Sequence, residues 1–270
     1  MKRKILSVVM VLLLVMNLGM VVSAEGNVQV IAEELREKYR GDEQFLAEMK
    51  YKNMTFEQLL LEKAEEALKN SNMKALNVSL AVSRASSGAG VYYANVPVIQ
   101  QTKTYNCGPT SALQVIYGMG NGNAVSGSNF NEKIATLESL MGTNSTDGTY
   151  VYRLKDGLNN YSNTYTYEYY PSTGLTMSSL ETSIAGSLLN NLGPILHART
   201  EKLSYYNGHK SGHFIAIKSI NMNTDQIEVC DCNYNNKYFG VHTISLTDAY
   251  NSLTQAPNGS TRYLISIATR

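Results

Sequence analysis

The sequence predicts an α+β fold, helices packed on an antiparallel sheet and preceded by a small helical segment. Three observations carry that expectation. Apolar residues recur mainly at helical spacing as far as Leu192. Past Gly193-Pro194, β-branched and aromatic residues gather in short runs separated by polar turns. Two of those runs, 212–220 and 227–231, flank a short polar turn around Asn221 to Thr224, which makes them antiparallel neighbours.

Taken from the N-terminus, residues 1–24 have the pattern of a secretory signal peptide. Lys2, Arg3 and Lys4 are followed by an almost wholly apolar run from Ile5 to Val22, and Val22-Ser23-Ala24 supplies small residues for cleavage. An uncleaved anchor is the alternative, since the run is near the lower limit of about 17 residues for a membrane span. Cleavage would leave a chain from Glu25 that is secreted, extracellular or held at the cell surface, without stable membrane insertion. Residues 25–80 are charged and periodic. Val30, Ile31 and Leu35 lead to Gly41, and Thr55 to Gln58 reads as a capping box ahead of a stripe of Phe56, Leu59, Leu60, Ala64, Ala67 and Leu68. This helical segment is read as a structural extension, with a propeptide covering the active site as the sharper alternative. Residues 81–90 are small and polar, the composition of a linker, and 91–270 form the main domain. There the expected elements are an edge or irregular strand over Val91–Ile99, interrupted by Pro97, helices at 107–117, 131–141, 150–158 and 178–192, and strands at 165–170, 195–198, 212–220, 227–231, 238–244 and 263–267.

A net charge of +1 over 270 residues gives no field to draw in nucleic acid. Three cysteines, Cys107, Cys230 and Cys232, are too few for a disulfide scaffold. An odd cysteine in a secreted chain is a liability or a working thiol. Cys107 stands at the start of a helix, where the N-terminal dipole favours a thiolate. Pro109 suits the first turn, and the Cys107 N–H could face a developing oxyanion. Gln101, six residues earlier, is a candidate second oxyanion donor. His213 opens a strand and is the candidate base. Pairing Ile217 with Ile227 and Ile215 with Val229 would set His213 opposite Asp231 on one face, close enough for the carboxylate to orient the imidazole. His197 falls in a core strand, His209 in a loop and His242 in an outer strand. His209 and His213 with Cys230 and Cys232 match no known metal spacing, so no metal or other cofactor is expected.

Val96 to Gln101, Cys107 to Leu113, Gly212 to Ile217 and Val229-Cys230-Asp231 together resemble the peptidase C39-like group of papain-fold proteins. The resemblance covers about Val91 to Ile267. It implies a papain-like cysteine peptidase fold, with Gln101 as oxyanion donor, Cys107 as nucleophile, His213 as base and Asp231 as the orienting residue. It implies hydrolysis of peptide or isopeptide bonds in a peptide or protein substrate through a thioester. A non-catalytic papain-fold binding module at the cell surface and a cell-wall peptide amidase are the alternatives. The better-known members are transporter domains, whereas this chain shows no transporter helices or ATPase motif, and Cys232 follows the Asp where the group often has Pro.

Overall fold

The computed structural model describes residues 24–65, 90–162, 165–255 and 261–268. The expected signal peptide up to Ser23 and the expected linker up to Ala89 lie outside the described residues. Among the described residues no helix is long and apolar enough to cross a membrane.

The N-terminal segment is a three-helix unit: α1 (Ala24–Tyr39), α2 (Glu43–Lys52) and α3 (56–65). Asp42 caps α2 by accepting from the Phe45 N–H, and Asn53 ends it in the left-handed conformation. The capping box ahead of α3 forms: Thr55 N–H donates to Gln58 Oε1 (2.8 Å) and Gln58 N–H to Thr55 Oγ1 (3.3 Å). Ala32, Tyr39, Phe45, Leu59, Leu60 and Ala64 bury together in a cluster of their own.

The main body begins with a short β1 (Val91–Tyr93), followed by α4 (Cys107–Gly118), α5 (Phe130–Leu140), α6 (Val151–Asn159), β2 (Thr166–Pro171) and α7 (Met177–Leu189). Then come β3 (Ile195–Arg199), β4 (Gly212–Asn221), β5 (Gln226–Asp231), β6 (Gly240–Ser245), α8 (Leu246–Thr254) and β7 (Tyr263–Ala268). All neighbouring strands are antiparallel, in the order β2-β7-β3-β4-β5-β6. β1 pairs the far end of β4 at residues 219–221, beyond the stretch of β4 that pairs β3. His213 through Ile217 are all buried, so the middle of β4 is covered on both faces. Gly193 stands where a Cβ would lie 2.6 Å from Val96 Cγ2 and 3.0 Å from the Ile217 carbonyl, and its missing side chain lets the α7–β3 connection press against the core.

α4 is buried almost all round and forms the centre of the domain. Its buried polar residues find partners: Thr110 donates to the Asn106 carbonyl (2.8 Å), Ser111 to the Phe214 carbonyl (2.9 Å) and Gln114 Nε2 to the Ile99 carbonyl (3.3 Å), while Gln114 Oε1 is left without a donor among the described residues. Two elements differ from expectation. The strand foreseen over Val91–Ile99 stops at Tyr93, because an irregular path leads on through Pro97 to Gln101. Helix α8 was not foreseen. It is short, and its signal is the Ser245 cap accepting from the Asp248 N–H, with Leu246, Ala249 and Leu253 buried.

The pairing of β4 with β5 corrects the expected register. Ile217 faces Val229, not Ile227, and Ala216 faces Cys230. Toward the turn the register changes at a bulge between Ile217 and Ser219, after which Ile220 faces Ile227. His213 is therefore not directly opposite Asp231 but displaced along the strand by two residues. A slip of two keeps both side chains on one face, where a slip of one would separate them.

Candidate active site

Cys107 is the first residue of α4, and its side chain is half-buried. The preceding Asn106 does not cap the helix with its side chain. That amide instead accepts from the Lys103 N–H (3.1 Å), donates to Thr102 Oγ1 (2.9 Å) and meets Glu138 Oε2 of α5 (3.3 Å), which fixes the loop ahead of the sulfur. The first-turn N–H groups are thus free of a competing cap, and the Gly108 and Phe214 backbones hydrogen-bond toward the Cys107 sulfur. At Gly108 a Cβ would lie 2.5 Å from Thr149 Oγ1, so only glycine lets that side chain pack beside the nucleophile's turn.

His213 is buried at the start of β4. Its Nε2 lies 2.8 Å from Asp231 Oδ1, which leaves Nδ1 for the Cys107 thiol, and the two groups act on each other's charge. Asp231, wholly buried at the end of β5, is held on all sides. Oδ1 also accepts from the Asn233 N–H (2.8 Å), while Oδ2 accepts from Tyr205 (2.7 Å) and Tyr206 (2.8 Å). Asn233 Nδ2 in turn donates to the Tyr206 hydroxyl (2.9 Å).

The charges follow from these contacts. Burial works against the Cys107 thiolate, but the facing His213 charge, its hydrogen bond and the two backbone donors outweigh it and hold the thiol below its usual range. Burial would lower His213, yet Asp231 and then Cys107 push it well above the ordinary histidine value. Burial would raise Asp231, and His213 with the two tyrosine hydroxyls brings it below the usual carboxylate range. Burial, with Asp231 adjacent, pushes both tyrosines up, so they remain donors. The arrangement favours a thiolate–imidazolium pair over two neutral groups.

Gln101 is buried beside this pair. Its Nε2 donates to the Lys103 carbonyl (2.6 Å) and its backbone N–H to the Cys232 carbonyl (2.7 Å). A cleft of about 360 Å³ opens over the site, lined by Gln101, Gly212, His213, His209, Tyr234 and Tyr238 among others. No residue of 24–65 lines it. Those helices dock instead on the α6–β2–β7 side, through Tyr263 to Asp42 (3.1 Å), Tyr152 to the Ala47 carbonyl (3.4 Å) and Tyr169 to Glu48.

The structure brings all four sequence-derived residues to one place and sorts the other histidines. His197 pairs with Phe214 across β3 and β4, on the face away from His213, and its Nε2 meets Arg262 (2.7 Å). His242 stacks on Tyr205 at 3.9 Å and buttresses it. His209 faces the cleft against Tyr238 at 5.6 Å. Sequence reasoning missed Tyr205, Tyr206, Asn233 and Tyr238, which sit in turns without periodicity. The short Asp231-to-Asn233 spacing was the one local signal. Cys230 bonds the Val96 carbonyl (3.5 Å), and burial pushes its thiol up to about 11. Cys232 enters the site itself. Its Sγ, His213 and Asp231 offer atoms within 4.8 Å of one another, as metal ligands do. Both Asp231 oxygens and His213 Nε2 are already committed to hydrogen bonds, and burial holds Cys232 as a thiol.

A helix carrying a cysteine at its tip, packed on an antiparallel sheet that carries the histidine and the aspartate, defines the papain-like cysteine-peptidase fold. The family model described as the Peptidase_C39 like family matches residues 93–257, more than half of the chain, and the chain belongs to that family. No curated protein matches the chain. Among solved structures it is similar to a double-glycine-motif protease from an AMS/PCAT transporter, determined with a leader peptide. That match has 16% identity and a TM-score of 0.41, and covers 66% of this chain and 95% of that one. The peptidase domain of Streptococcus ComA, a bifunctional ABC transporter of a quorum-sensing pathway, is similar at 16% identity with a TM-score of 0.38, covering 63% and 98%.

Proposed function

We propose that this protein is a secreted cysteine peptidase that hydrolyses peptide or isopeptide bonds through a thioester on Cys107. The thiolate attacks the substrate carbonyl. His213, already protonated in the resting pair, gives its proton to the leaving amine, then takes one from the water that cleaves the thioester. Asp231 keeps the ring oriented and its charge stabilised. Gln101 Nε2 and the Cys107 N–H supply hydrogen bonds to the oxyanion. The observation that carries this reading is the chain of contacts from a half-buried sulfur at a helix tip, through a buried imidazole, to a carboxylate with four donors. Secretion rests on the basic, apolar and small-residue pattern of residues 1–24.

The test is mass spectrometry of the full chain after treatment with a peptidyl epoxide under reducing conditions. One adduct on Cys107, abolished in His213→Ala, is the expected result. A wild-type chain that takes no adduct at Cys107 leaves a binding module in place of an enzyme.

A further inference from the structure

We propose that Cys232 is a positioning residue for the oxyanion side of this reaction: its thiol holds the Gln101 carboxamide with the NH2 end, and not the oxygen, presented to the cleft. The inference rests on the cysteine-peptidase reading above.

A carboxamide has two nearly isosteric ends, one a donor and one an acceptor. Turned over, Gln101 would place its oxygen where the oxyanion develops and repel it. On the nitrogen side, the Lys103 carbonyl takes one hydrogen (2.6 Å), and the second remains for a ligand oxygen. On the oxygen side, the contact is Cys232 Sγ, 3.5 Å from Gln101 Oε1.

The surroundings of Cys232 make it a donor. Burial holds it above the usual thiol range, so it keeps its hydrogen. Its other oxygen neighbours are Ser111 Oγ at 3.6 Å and the Cys107 and Phe214 carbonyls at 3.7 Å. Ser111 commits its own hydrogen to the Phe214 carbonyl (2.9 Å), so it does not donate to the sulfur. Gln101 Oε1 is the nearest of these acceptors and has no other donor among the described residues. Without the thiol it would be a buried, unpartnered oxygen, and turning the amide over would no longer lose a hydrogen bond on that side.

The test separates chemistry that uses the oxyanion site from chemistry that does not. N-acetylglycinal adds to a thiolate to give a hemithioacetal whose oxygen occupies that site. Iodoacetamide alkylates the same sulfur by displacement and has no need of it. Cys232→Val removes the donor and adds a methyl group, while Cys232→Ser keeps a donor and reduces the volume. Cys232→Val is expected to weaken aldehyde affinity about tenfold, a fraction of the 10²–10³ found for loss of a whole oxyanion donor, with Cys107 alkylation slowed by less than about threefold. Cys232→Ser is expected to restore affinity to within about threefold of wild type. In a Gln101→Ala background, Cys232→Val should add less than about twofold, because both changes act through one group. Equal aldehyde affinity in Cys232→Val, a valine variant as good as the serine one, or a full additive loss on top of Gln101→Ala would overturn the role of Cys232. Failure of iodoacetamide to label Cys107 in the wild-type chain would overturn the peptidase reading on which it rests.

Discussion

Asp231 and Glu48 are both buried carboxylates held by a cation and a tyrosine hydroxyl, at opposite ends of the molecule. Glu48 ties the N-terminal helices to the sheet. Lys52 (2.9 Å) and Lys63 (3.1 Å) pair with Oε1, and Tyr169 of β2 donates to Oε2. Asp231 has His213, two tyrosines and a backbone N–H. Burial would raise both carboxyls, and in each case the neighbours win and hold them low. The difference lies in the cation. A lysine does not exchange its proton at neutral pH, so the Glu48 cluster only fastens. An imidazole does, and this one has a second nitrogen turned to a sulfur at a cleft. A satisfied buried acid becomes machinery when its partner titrates and has an exit.

Asp231→Ala should have the largest effect. It leaves an imidazolium and two hydroxyls buried without their acceptor, a cost of about 3–5 kcal/mol, or about 10 °C in melting temperature by calorimetry at 2–4 °C per kcal/mol. Iodoacetamide labelling of Cys107 should fall with it. Glu48→Ala should destabilise by about 3 kcal/mol, since Lys52 and Lys63 lose the buried carboxylate they share, but labelling of Cys107 should match wild type. A drop in labelling there would erase the contrast between the two sites.

His213→Ala should slow labelling at pH 7 about tenfold or more. In the wild-type chain the labelling midpoint should lie below the free-thiol value of about 8.5. In the variant it should move to that value or above, because burial remains while the imidazolium is gone. Tyr206→Phe should be the smallest, about 1 kcal/mol. Its sharper signature is in acid. Asp231 is held below its unfolded value, so its stabilisation is present above that value of about 3.9 and is lost as pH falls through the lowered one. Removing a hydroxyl donor raises the folded value, and acid unfolding of Tyr206→Phe should begin at higher pH.

What was legible in the sequence was local. A helix start at Cys107 is announced by Pro109 and the apolar run behind it, and period-two alternation places His213, Ile215 and Ile217 on one face. The register was not legible, because a slip of two leaves the alternation intact. The bulge after Ile217 has no marker of its own. The tyrosine pair, Asn233 and the environment of Cys232 come from turns, where neighbours are decided by tertiary packing and not by spacing along the chain. The docking of residues 24–65 away from the cleft depends on single tyrosines of α6, β2 and β7 that carry no pattern pointing back to Asp42, Ala47 or Glu48.

The bulge beside Lys218 makes β4 two half-strands of opposite parity. Gaining or losing one residue between His213 and Ile217 would rotate the imidazole to the far side of the sheet while leaving the pairing with β1 untouched. Related chains can therefore vary freely in the length of the turn between β4 and β5, but the count from the bulge to the histidine must stay fixed.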